Sequence, residues 1–197
     1  ACGCDALHEL TSHGKSIMDF ELQTEAIRLL LLAVDTHKSN DILIPKAIVE
    51  LIHLTHTEHN AVHVSSGGGI ERIVSIMGAQ NDLIQRAPSL PRTPSAAQLV
   101  ERSNTSAPDL IVHCCQLLKQ VACQTTYVLL AREGAISAVI KSMITCEDNA
   151  SVQIEGTCCL TAVAGLAANS IRIVEGNAVA VVSGAVAASH DNLDLQD

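Results

Sequence analysis

Four stretches of this chain repeat one pattern, and that repetition constrains the fold more than any single motif does. TEAIRLLLLAV from Thr24, GGGIERIVSIM from Gly67, REGAISAVIKSMI from Arg132 and EGNAVAVVSGAV from Glu175 align on Ile27, Ile70, Ile136 and Val179. Those anchors are 43, 66 and 43 residues apart, so the middle interval is one repeat plus 23 extra residues. At an offset of 109, Leu51 falls on Leu160, Asn60 on Asn169, Val64 on Ile173 and Gly67 on Gly176. At an offset of 43, Cys115 falls on Cys158 and Leu117 on Leu160. A chain built this way buries its apolar faces between successive units, because no unit can cover its own.

Each unit reads as three helices. The best preserved copy runs through a helix GAISAVIKSMIT (134–145), a polar turn CEDN, and a longer helix SVQIEGTCCLTAVAGLAA (151–168). Asn169 then stands as the N-cap of a short helix SIRIVE, and Gly176 supplies the positive φ that ends it. One Phe, one Tyr and no Trp within a 48% hydrophobic composition leave an aliphatic core of small residues. That suits closely packed helices better than sheets, which draw on aromatic cross-strand pairs. The expectation is an all-α chain.

The run EGTCCLTAVAGLAANSIRIVEGNAVAVVSGAV resembles an armadillo repeat, and the 43-residue period lies within the roughly 40–47 residues of that class. The resemblance covers nearly the whole chain and implies an α-solenoid, a right-handed superhelix of three-helix units. Its units would be 1–23 (partial), 24–66, 67–132, 133–175 and 176–197 (partial). The extra residues fall at 86–108, RAPSLPRTPSAAQLVERSNTSAP, which holds four of the five prolines and has no apolar period. A disordered insertion between the second and third helices of that unit is expected there. Thr93, followed by Pro94, is a candidate phosphorylation site within it.

What the resemblance implies about function is a concave groove, lined by the long third helices, that binds extended peptides or partner proteins. The family's L-S-N-I-A segment matches LHELT, LIHLT, LKQVA and LTAVA, placing its asparagine position on Glu9, His53, Gln120 and Ala162. Its tryptophan position falls on Asp5, Val49, Gln116 and Cys158. Neither an asparagine ladder nor a tryptophan row is present, so the contacts would differ from the family's. Glu9, His53, His56, Gln116, Gln120 and Ala162 are the candidate groove residues.

The segment IHLTHTEHNAVH carries His53, His56, His59 and His63 at spacings of three, three and four. A zinc site built from His53, His56 and perhaps His59, with Glu58, is the alternative reading. Against it, His59 is expected in a turn, with Asn60 opening a new helix that carries His63 in another direction. No C-x-x-C pair lies nearby to complete a structural set.

A net charge of −9 opposes nucleic acid and anionic membrane surfaces as partners. The most apolar tract, Gly176 to Ser189, is shorter than the roughly 20 residues a bilayer crossing needs. The eight cysteines sit in helical apolar runs, partly as adjacent pairs that point to different faces. Free buried thiols in a reducing compartment are expected, hence the cytoplasm, with the nucleus as second choice. No cofactor motif and no nucleophile with its base can be assembled. Gly67-Gly68-Gly69 lacks the Lys-Ser or Lys-Thr of a phosphate loop and reads as a turn. The chain begins without Met and ends on DNLDLQD, which reads as a fragment cut inside repeats. AVAVVSGAVAAS would then leave small apolar residues bare, so self-association is expected.

Overall fold

The apolar spacing of the sequence becomes helix throughout. The computed structural model describes residues 20–86 and 105–193, with side chains to residue 186. They form α1 (Phe20–Thr36), α2 (Leu43–Leu54), α3 (Glu58–Ser66), α4 (Gly69–Arg86), α5 (Ala107–Val121), α6 (Tyr127–Arg132), α7 (Ala135–Thr145), α8 (Ala150–Val163), α9 (Ala167–Glu175) and α10 (Ala178–Leu193). No strand occurs among the described residues, and the chain is all-α.

α5 and α8 begin where side chains satisfy their orphan amides. Asn149 accepts from the Val152 amide ahead of α8. Ser106 and Asp109 form a reciprocal capping box at the start of α5, with Pro108 in the first turn. The expected insertion is shorter at both edges: Arg86 still belongs to α4, and Ala107 and Pro108 belong to α5, capped by Ser106. The remainder of the insertion, 87–104, lies outside the described residues, and with it Thr93.

α2, α5 and α8 pack side by side in chain order. α1, α4, α7 and α10 form a second row, each also touching its neighbours in sequence, while short α3, α6 and α9 bridge successive pairs. Between the rows runs a core of Ile, Leu, Val, Met and Cys that is continuous from α1 to α10. Its pattern corrects the helix register. In α5 the buried positions are Leu110, Ile111, Cys114, Cys115, Leu117, Leu118 and Val121; in α8 they are Val152, Gln153, Gly156, Cys159, Leu160 and Val163. All but Cys115 pair at an offset of 42, so Cys115, which is buried, does not correspond to Cys158, which is exposed. Leu118, not Leu117, stands where α8 has Leu160.

The junctions between units carry the 66- and 43-residue intervals in their backbone. Left-handed conformation occurs at Gly68 (φ 75°), Gly134 (φ 80°) and Asn177 (φ 63°), each just ahead of a second-row helix. The expected positive φ at Gly176 is therefore misplaced by one residue, since Gly176 has φ −74°. Glycine is needed there for space: a Cβ would lie 2.8 Å from Ile140 Cδ1, as one on Gly67 would from Leu31 Cδ1.

Asn169 is also not a cap. Leu166 holds that position, and α8 stops at Val163 rather than 168. At the break, a Cβ on Gly165 would meet Tyr127 Oη at 2.5 Å, so the turn is pressed against the preceding unit. Asn169 is instead buried in the first turn of α9, and its Nδ2 donates to the carbonyls of Val163 and Tyr127, both at 3.1 Å. Asn60 repeats this clasp, donating to the Leu54 carbonyl (2.6 Å) and to Gln23 Oε1 (2.7 Å). At the intervening junction Thr126 Oγ1 donates to the Val121 carbonyl at 2.5 Å.

Replacing Asn169 by Ala removes the donor of the buried Val163 carbonyl and the bond to Tyr127. Urea unfolding should show a loss of about 1–3 kcal/mol, while exposed Ser137→Ala should stay within roughly 0.5 kcal/mol of the parent.

Candidate partner-binding face

With α2, α5 and α8 side by side, the residues opposite their buried stripe share one face. Along it, at the registers that burial sets, stand Val49, Gln116 and Cys158, then His53, Gln120 and Ala162. Glu9 lies outside the described residues.

The candidate residues differ in how free they are. His53 is half-buried, its Nδ1 3.7 Å from the carboxylate of Glu50, a buried residue on α2. His56 is exposed, and its Nδ1 lies 2.9 Å from the His53 carbonyl, which fixes the ring against its own chain. Gln120, with its amide oriented to satisfy both ends, donates to the carbonyls of Ile52 (2.7 Å) and Thr55 (3.2 Å). It thereby ties α5 to the C-terminal end of α2. Gln116 Nε2 donates to Glu155 Oε1 on α8 at 3.2 Å. Ala162 is a small half-buried position that leaves room beside exposed Cys158.

Sequence reasoning missed the pair that dominates this face electrostatically. Lys119 Nζ sits 2.8 Å from Glu155 Oε2, joining α5 to α8 beside the Gln116 bond. Burial alone would raise the Glu155 pKa, but hydrogen bonds from Lys119 and Gln116 and the lysine charge outweigh it and hold the carboxyl below its usual value. The same hydrogen bond raises Lys119. Opposite charges separated by 36 residues give no signal until the register of the two helices is known. His113, on α5, is half-buried; burial depresses its pKa and Asp109 partly offsets that.

The thiols divide by position. Cys114 and Cys159 are pushed well up by burial, and Cys115 to about 12, so all three are protonated and poorly nucleophilic at neutral pH. In Cys123, burial works upward, but hydrogen bonds from Thr125 and Thr126 prevail and lower the thiol. Among the described residues no group of three or more His, Cys, Asp or Glu is placed to hold a metal ion, so His53, His56 and His59 do not gather. No described helix is long and apolar enough to cross a membrane. The chain matches no family model, no curated protein and no solved structure.

The Lys119–Glu155 pair sets a pH window. Glu155, with its pKa lowered, contributes stability that is present above its unfolded value of about 4.3 and fades as pH falls through the lower folded value. Lys119, raised, keeps its share until pH climbs past its folded value. Lys119→Met should therefore cost less than about 1 kcal/mol at neutral pH, the two side chains being partly solvated. Urea unfolding repeated at successively lower pH should bring parent and variant together as Glu155 takes up its proton.

Proposed function

We propose that this chain is a non-enzymatic protein-interaction module, an armadillo-type α-solenoid whose open α2–α5–α8 face engages a partner protein or an extended peptide. The observation that carries the reading is the side-by-side stack of α2, α5 and α8, which sets polar and small side chains in rows on one surface. Support comes from the three left-handed junctions and from the paired Asn60 and Asn169 clasps, which recur at the repeat intervals.

The face suits extended backbone. Gln116 and His53 offer polar contacts along it, and Ala162 and Cys158 leave a shallow place for a partner's side chain. The net charge of −9 favours a partner segment carrying Lys or Arg and disfavours nucleic acid and anionic membrane. Protonated buried thiols argue for packing rather than catalysis. Free thiols also fit a reducing compartment, the cytoplasm or the nucleus. At the far end, Ile171, Val174, Val179 and Val186 are exposed, which favours association with a second copy or a further repeat.

His53→Glu combined with Ala162→Arg tests the groove. Both positions lie on the stacked face and neither is fully buried. With helicity unchanged by circular dichroism, capture of bound protein should fall at least tenfold relative to the parent. Equal capture, with cross-links mapping to α3, α6 or α9, would move the binding surface away from the third helices.

A further inference from the structure

The histidine that sequence reasoning set in a turn belongs to a helix. α3 begins at Glu58, not at Asn60, because Thr57 takes the cap position and accepts from the Asn60 amide. His59 and His63 therefore stand four residues apart on one helix, on the same side of it. Their rings converge: Nε2 of one lies 3.1 Å from Nε2 of the other, with ring centroids 4.4 Å apart and the planes at 67°. Phe20 meets the His59 ring edge-on at 5.4 Å, which gives that ring a packed wall on one side.

We propose that His59 and His63 form a two-imidazole site for a borderline divalent transition-metal ion, with zinc and copper the best matches. Metal-to-imidazole bonds are about 2.0–2.1 Å, so two nitrogens on one metal lie about 2.9 Å apart at a right angle and about 3.4 Å apart at the tetrahedral angle. The observed 3.1 Å falls between these limits. Imidazole nitrogen suits zinc, copper and nickel, and copper binds such donors most tightly. The other coordination positions fall to water, so the site is weaker and more exchangeable than a four-ligand structural centre. It stands apart from the α2–α5–α8 face and does not depend on the function proposed for it.

A proton shared between two neutral imidazoles produces the same separation, and a residue-resolved measurement distinguishes the two. The probe is zinc chloride, added to the full chain with its thiols reduced and followed through the histidine ring signals by NMR. Signals from His59 and His63 should move together at a common midpoint. His59→Ala should weaken the response of His63 at least tenfold, His63→Ala should do the same to His59, and His56→Ala should change neither. Circular dichroism should report unaltered helix in each variant. The proposal is overturned if His63 responds equally in His59→Ala, or if saturating zinc moves neither ring and leaves the shared proton in place. Reading each ring separately keeps zinc taken up by cysteines elsewhere from being mistaken for binding here.

Discussion

Helix α5 is enclosed on three sides, and the stack depends on it. Cys114, Cys115, Leu117, Leu118 and Val121 have no exposed surface, because α2 and α8 flank the helix while α4 lies beneath it. Full burial of each large apolar side chain is worth about 1.5–3 kcal/mol, so this one helix supplies a large share of the contact that holds the two rows together. The surfaces it meets must follow its shape, and they do so with small residues. Buried Cys159 on α8 takes the place that Leu117 holds on α5, and Gly156 lets Met143 of α7 come close, since a Cβ there would lie 2.7 Å from Met143 Cγ. An aliphatic core with one Phe and one Tyr in the entire chain lets such substitutions interdigitate without large voids.

The second organising element lies at the junctions. A short helix following a long one leaves carbonyls without partners at the break, and Asn60 and Asn169 supply donors from inside the next helix. Each amide also reaches a group in the preceding unit, Gln23 or the Tyr127 carbonyl. The clasp therefore fixes the turn and the spacing between neighbours together. Thr126, with a shorter side chain, reaches only within its own junction, to the carbonyls of Val121 and Cys123.

Much of the architecture was legible because its strictest demands fall on few residue types. Left-handed backbone calls for Gly or Asn, so the reading at Gly176 came within one residue of Asn177, the left-handed position of that junction. The same chemistry misled at Asn169, since a side chain that caps helices well also clasps a buried turn well, and only burial separates the roles. The third-helix register was obscured by adjacent lookalikes: Leu117 and Leu118 are both apolar, so either can face Leu160, and a slip of one residue also sets Cys115 on Cys158, a match that the true register lacks. The groove was readable as positions but not as interactions. That Gln120 is spent on the end of α2, and that Lys119 meets Glu155, follows from side-chain geometry across helices. The convergence of His59 with His63 turned on two residues of helix boundary, which is the scale at which boundary reading from sequence is weakest.

The capping box at Ser106 has a further meaning. α1 and α2 are joined through residues 37–42, and α7 and α8 through 146–149, links short enough to guide the second helix into place. α5 is reached across the far longer stretch 87–104, so its starting point is written into its own first turn, through Ser106, Pro108 and Asp109. α4 and α5 nonetheless pack directly, and α4 meets α7 and α2 meets α5 across the same seam. Among the described residues, α5 is set in register by its own cap and by its packing against α2, α4 and α8. The seam thus pairs two surfaces, one carried by α1 to α4 and the other by α5 to α10, and it is the place to cut the chain for a split-protein design.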